Sequence, residues 1–285
     1  MINFKHYDGN PFDLYRDAVS RKKGVDKNNL TEIEDKVNKS YKTYTEAFNH
    51  KNVHLLNKDE SYSLVQKQAL KGLYNSSSTV VKTIREWIDK NNKQTYLRIC
   101  PYCTISRANT TEHIIPKNDY PEYAINALNL LPCCSECNSA KGENTKDDLG
   151  NPLFINFYYD QLPETQYLHV RLKFDKHNVI DFEYYIDNTE NKIDEYKFNL
   201  IKSHFKRLGL LQKFYEKAIG EYTEIENGLK RNASRLGVTM CLEDLKENAL
   251  EDAKEYGANH WKVILKLTLA ESSEYAMYLE QQIVK

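Results

Sequence analysis

The 285-residue chain reads as an α+β protein, mainly helical, in which a short cysteine-clamped strand–strand–helix unit lies between a helical N-terminal region and a C-terminal β-hairpin followed by a helical bundle. Three observations predict this. Apolar residues recur at helical spacing through residues 11–95 and again through 190–283. Residues 166–186 hold two runs of alternating apolar and polar residues around Lys176-His177-Asn178, the pattern of a hairpin. Between these regions, five of the six cysteines fall in the two runs CPYC and CCSEC, either side of a β-branched segment. The expected divisions are residues 1–95, 96–160 and 161–285.

Taken in order, Thr31, with Glu34 three positions on, predicts one helix start, and Ser78 ahead of Val80 to Trp87 predicts another. Gly72 and the polar cluster Asn75 to Ser78 predict a break between helices. Residues 96–103 read as an extended approach to the first cysteine pair. Thr110 to Ile115 favours a strand that Pro116 must end, which puts Glu112 and His113 on that strand. After the loop KNDYPEYAINA, Asn129 to Cys133 reads as a second strand, and SECNSAK as a short helix that Gly142 terminates. Gln166 to Phe174 and Val179 to Ile186 form the hairpin. Residues 190–235 then read as two long helices hinged near Gly209, and 241–283 as two or three more, broken at Gly257-Ala258-Asn259.

Hydrophobic residues make up 40% and charged residues 28%, a balance that argues against long disorder. Formal net charge is −1, so any affinity for nucleic acid must come from a local patch. The opening MINFKHYDGN lacks the charged-then-apolar order of a secretory signal, and apolar runs such as Val263 to Ala270 are far short of a membrane span. A soluble, cytoplasmic protein is expected. In a reducing compartment, paired cysteines at knuckle spacing bind metal more readily than they form disulfides. The 21 tyrosines have two explanations, an Asn-, Lys-, Ile- and Tyr-rich composition or stacking platforms for bases.

A C-x-x-C knuckle puts two thiolates on one tight turn, and two knuckles supply the four soft ligands of a closed tetrahedral zinc site. Cys100, Cys103, Cys134 and Cys137 are the expected ligands. Cys133 sits beside Cys134, but only Cys134 forms a two-residue knuckle with Cys137. Cys241 has no partner motif and reads as a small buried hydrophobe. His204, His169 and His260 read as packing residues.

The run CPYC, EHIIPK, NLLPCCSECNSAK resembles the zinc-stapled branch of the HNH endonucleases, the ββα-metal nucleases. About forty residues carry the resemblance, and a looser one extends to HNH proteins of bacterial anti-phage defence systems of the Septu type. The resemblance implies a metal-dependent phosphodiester hydrolase, with Glu112 as a metal ligand, His113 as general base, Asn129 orienting the histidine or its loop, and Asn138 completing the site of a catalytic divalent ion. Glu112 stands where the family more often has aspartate, and Asn138 where it often has histidine. An amide oxygen is a hard neutral donor that suits Mg²⁺ or Mn²⁺. The four thiolates, saturated by zinc, would then be structural.

Lys141 follows Asn138 by three residues and, with Lys117, is a candidate phosphate contact. From Arg98 to Gly150 there are five positive and seven negative side chains, a net −2, so this segment cannot hold a duplex strongly by itself. Basic residues in the flanks, Lys67, Lys71, Lys82, Arg85 and Lys90 before it and Lys202, Lys206, Arg207, Lys213 and Lys217 after it, are candidates to lend such a surface. Three functions are therefore open. The first is a DNA endonuclease of a defence system, with an ATPase partner. The others are an RNase or toxin using the same site, and a catalytically silent zinc module binding nucleic acid or protein.

Overall fold

Side-chain caps set where the N-terminal helices begin. Asn10 accepts a hydrogen bond from the Phe12 amide at 3.1 Å, and Pro11 presets the first turn of α1 (Pro11–Ser20). Helices α2 (Gly24–Glu32) and α3 (Glu34–Asn49) follow. In this computed structural model, which describes residues 3–74, 78–93, 98–176, 180–190 and 192–283, Thr31 does not start a helix. It lies in the last turn of α2, where its hydroxyl donates back to the Lys27 carbonyl at 2.8 Å. The next helix begins at Glu34 without a side-chain cap, and Glu34 and Asp35 in its first turn complement the helix dipole.

Helix α4 (Leu64–Lys71) opens on a capping box in which the Gln66 amide bonds Ser63 Oγ at 3.3 Å and the Ser63 amide bonds Gln66 Oε1 at 3.0 Å. Ser78 caps α5 (Thr79–Asn91) by accepting from the Val81 amide at 3.2 Å. Gly72 follows the last residue of α4, as the expected break requires, whereas Asn75 to Ser77 lie outside the described residues. Part of the approach expected at 96–103 lies outside them as well, and Ile99 forms an isolated bridge with Arg107.

Chain contacts group the described residues into two units, Asn3–Gln161 and one that begins at Leu162. In the first, α1 to α5 bury Tyr15, Leu30, Val37, Tyr44, Phe48, Leu70, Ile84 and Ile88. Strand β1 (Thr110–His113) pairs antiparallel with β2 (Leu130–Cys133), Thr110 opposite Cys133 and His113 opposite Leu130. Both strands are shorter than expected. The Ile114 amide still bonds the Asn129 carbonyl at 2.9 Å, but the Ile115 amide turns to the Asn129 side chain, and the ladder ends there. Helix α6 (Ser135–Lys141) completes the unit, and Gly142, with φ of 58°, ends it in a conformation that glycine adopts without strain.

Many of the tyrosines are ties between elements. The hydroxyls of Tyr15, Tyr120 and Tyr123 donate to the carbonyls of Leu30 (2.9 Å), Leu56 (2.9 Å) and Ser40 (3.2 Å), and Tyr158 donates to Leu130. Each hydroxyl so placed finds a backbone acceptor while its ring packs between elements.

In the second unit, β3 (Leu168–Phe174) pairs antiparallel with β4 (Ile180–Ile186), with His177 to Val179 outside the described residues. Helix α7 (Glu195–Leu208) is capped by Asp194 and ends at Gly209, left-handed with φ of 63°. There follow α8 (Leu210–Leu236), α9 (Val238–Tyr256), α10 (Trp261–Glu271) and α11 (Ser273–Ile283). The break at Gly257 to Asn259 has a packing role: Asn259 Oδ1 accepts from the amides of Tyr167 (2.7 Å) and Leu168 (3.0 Å), docking this corner on the start of β3. His260 caps α10, accepting from the Lys262 amide, while His204 and Cys241 are buried. The architecture is α+β and mainly helical. Among the described residues no helix is long and apolar enough to cross a membrane.

One buried charge makes stability pH-dependent. Glu122 is buried in the loop between the strands, and its Oε2 has no hydrogen-bond partner among the described residues. Burial first, and then Asp59, push its carboxyl from the ordinary 4.5 up to about 7. A folded-state value above the unfolded one means that the stabilising protonated form is fully present below about 4.5 and is lost as pH rises through about 7. Glu122→Gln should therefore gain on the wild type by roughly 2–3 kcal/mol between pH 5 and pH 8, read as the difference between their urea midpoints at the two values.

Candidate active site and zinc centre

The Sγ atoms of Cys100, Cys103, Cys134 and Cys137 lie within 4.8 Å of one another, all buried, with no disulfide among them. Cys103 and Cys134 Sγ are 3.9 Å apart, close to the roughly 3.8 Å edge of a tetrahedron with zinc–sulfur bonds of about 2.3 Å. Two knuckles make this possible: the turn Cys100–Cys103, and the first turn of α6, where the Cys137 amide bonds Cys134 Sγ at 3.4 Å. The donor set fits zinc, with four soft ligands and no place for water. Cys133 stays out of it. Its thiol faces the Cys134 carbonyl and Thr110 Oγ1, and burial pushes it up to about 12.

The knuckles fix β1 and α6 so that both line one open cleft of about 490 Å³. Glu112, His113 and Asn138 all contribute to its wall, with Tyr74, Lys117, Asn118 and Glu143 among the others. His113 is 8% exposed, and its Nε2 lies 2.9 Å from the Ala124 carbonyl. A carbonyl only accepts, so Nε2 carries the proton and the lone pair is on Nδ1. Burial first, then the charges of Lys117 and Lys141, lower this imidazole to about 4 against the pull of the Ala124 carbonyl. At neutral pH it is an uncharged base.

Asn129 lies outside that wall, fully buried. Its Oδ1 accepts from the Ile115 amide at 2.9 Å and the Tyr44 hydroxyl at 3.0 Å, and its Nδ2 donates to the carbonyls of Ile115 and Tyr123, each at 3.1 Å. All four hydrogen-bonding positions are used, so the side chain pins the loop that carries Ala124 and cannot reach a reacting atom. Asn138 donates through Nδ2 to Thr110 Oγ1 (3.2 Å) and the Thr111 carbonyl (3.4 Å), which leaves Oδ1, a hard oxygen, as the uncommitted end of the amide.

Lys141 is neither on the surface nor open to a phosphate. It is 4% exposed, with Nζ 2.7 Å from Glu112 Oε1 and 3.0 Å from the His113 carbonyl. Burial lifts the Glu112 carboxyl above its ordinary range, and Lys141 opposes that. A cation entering the cleft meets a carboxylate with one oxygen already paired. Lys117 is half-buried at the cleft, with its ammonium 4.5 Å from the centre of the Tyr74 ring. Of the flanking basic residues, Lys67 pairs with Glu60 at 2.8 Å, Arg85 donates to the Ala108 carbonyl at 3.4 Å, and the Lys202 ammonium lies over Phe198.

Sequence reading missed Tyr74 and Tyr44. Tyr74 lies three residues beyond α4. Its ring meets the His113 imidazole edge to face, with centroids 4.4 Å apart, and its hydroxyl donates to the Thr111 carbonyl at 3.3 Å. Nothing local in the sequence marks either tyrosine, because both act across long chain separations.

One cleft thus brings together a histidine, a carboxylate and an amide oxygen, on a ββα unit that carries four clustered cysteines. Residues 100–144 match the HNH endonuclease family. The chain is 23% identical over 189 residues to protein ea31 of Escherichia phage lambda, covering 62% of each. It is 39% identical over 64 residues to the Septu protein PtuB of Bacillus thuringiensis, which is 22% of this chain and 24% of that one. The matches thus span less than two thirds of either relative. No solved structure matches the chain.

Two outcomes follow from the HNH geometry. Cys134→Ser should lose the zinc, measured by mass spectrometry, together with the near-ultraviolet circular dichroism of the folded unit. Lys141→Met, which strands a buried carboxylate, should cost about 3–5 kcal/mol in urea unfolding, and the double variant Glu112→Gln with Lys141→Met should recover most of that loss.

Proposed function

We propose that the protein is a metal-dependent HNH endonuclease that hydrolyses DNA phosphodiester bonds. The observation that carries this reading is the His113 imidazole, held neutral with its Nε2 proton on the Ala124 carbonyl, beside Glu112 and Asn138 in one cleft. Hydrolysis needs an activated water, a centre that neutralises charge on the phosphate and leaving oxygen, and a scaffold that keeps the two in line. His113 takes the proton of the attacking water at Nδ1. Asn129 acts through the loop and so is a positioning residue. The carboxylate of Glu112 and Oδ1 of Asn138 would hold Mg²⁺ or Mn²⁺, which when bound supplies the charge neutralisation. Zinc at the four cysteines stays structural, because a saturated thiolate site leaves no position for water.

Lys117, at the cleft, contacts a substrate phosphate. Lys141 serves the protein and not the substrate, since its charge is spent on Glu112. The chemistry targets the phosphate and not the base, so RNA is the competing substrate. The similarity to a Septu protein supports a role in bacterial anti-phage defence in the cytoplasm, with an ATPase as partner. Such a partner would also offset the net −2 of the segment from Arg98 to Gly150.

Supercoiled plasmid, linear DNA and RNA incubated with Mg²⁺ or Mn²⁺ test this. The wild type should cut DNA, and His113→Ala should lose cutting with its zinc content unchanged. Equal cutting by His113→Ala, or cutting of RNA alone, overturns the reading.

A further inference from the structure

The residues matched to the HNH family begin at Cys100, yet one wall of the cleft comes from much earlier in the chain. Tyr74 reaches it from the turn after α4, where its own amide is fixed to the Lys71 carbonyl at 3.1 Å. Three contacts determine where its ring sits. The hydroxyl donates to the Thr111 carbonyl at 3.3 Å, the same oxygen that receives Asn138 Nδ2 at 3.4 Å. The Lys117 ammonium lies 4.5 Å from the ring centre, a cation–π distance. The ring meets the His113 imidazole at 4.4 Å between centroids and 66° between planes. That edge-to-face geometry is favoured between aromatic rings.

Among the described residues the imidazole has one hydrogen bond, which Nε2 donates to the backbone carbonyl of Ala124. A single bond fixes one end of a ring and leaves it free to rotate about the bond axis. An aromatic wall at contact distance removes that freedom, and the hydroxyl anchor keeps the wall itself in place.

We propose that Tyr74 is a positioning residue for His113: it holds the imidazole plane so that Nδ1 faces the attacking water, and it couples that plane to Asn138 through the shared Thr111 carbonyl. The proposal rests on the reading of His113 as general base. A catalytic group displaced by about 1 Å loses on the order of a hundredfold in rate. The loss falls on kcat and spares KM, because substrate binding does not depend on the orientation of the base.

The test uses the full chain with Tyr74→Leu and Tyr74→Phe, each checked for zinc content and for cooperative unfolding. Tyr74→Leu should lower kcat for plasmid cleavage about a hundredfold at unchanged KM, and Tyr74→Phe, which keeps the ring but loses its hydroxyl anchor, should fall between that variant and wild type. Independently of any cleavage, the nuclear Overhauser contacts that place the carbon-bound His113 ring protons, assigned against His113→Ala, relative to the Ala124 backbone should change in Tyr74→Leu as the imidazole plane is released, and change less in Tyr74→Phe. Unchanged ring contacts in Tyr74→Leu overturn the proposal, as does wild-type kcat in that variant. If the wild type cuts nothing, the nuclease reading falls, and these contacts alone still decide whether Tyr74 holds the ring.

Discussion

Two paired strands of four residues bury too little to hold a helix in place, since an isolated hairpin of that size is marginal in water. In this chain the sulfur cluster takes over the work that a larger sheet would otherwise do. Cys100 and Cys103, in the loop before β1, meet Cys134 and Cys137 at the start of α6, so that a zinc ion held by the four would set the helix against the strands. Asn138 and Lys141, which meet β1, lie on that same short helix.

Burial then acts in opposite senses on two neighbours. It strips His113 of its proton affinity and leaves an uncharged base at neutral pH. It does the reverse to Glu112, lifting the carboxyl above its ordinary range, with the Lys141 ammonium 2.7 Å away opposing the shift. The same lysine bonds the His113 carbonyl, so a single side chain touches the carboxylate of one residue and the backbone of the next.

What could be read from the sequence was whatever is local. The knuckle spacing separates Cys134 from Cys133, glycines mark the ends of α6 and α7, and the alternation over residues 166–186 gives the hairpin. The capping box at Ser63 and Gln66 has a local signature that was there to be found. Thr31 fails as a start because a threonine hydroxyl bonds back to a carbonyl one turn earlier as readily as it caps forward. The positions of Lys141, Tyr44 and Tyr74 were not legible. Helical spacing correctly puts Lys141 near Asn138, but whether that side chain faces solvent or a buried carboxylate depends on how α6 packs on β1. Tyr44 and Tyr74 reach the module from 85 and 37 residues away along the chain, a separation that no motif records.

The hydroxyl of Tyr44 bears on what counts as a self-sufficient piece of this molecule. It supplies one of the two donors that Asn129 Oδ1 receives, and Asn129 in turn pins the loop beneath the imidazole. A minimal cassette excised at the family boundary, or grafted into a foreign host, would keep every metal-binding and proton-accepting group and still lose this prop. In this chain the HNH segment therefore leans on the helix that comes before it.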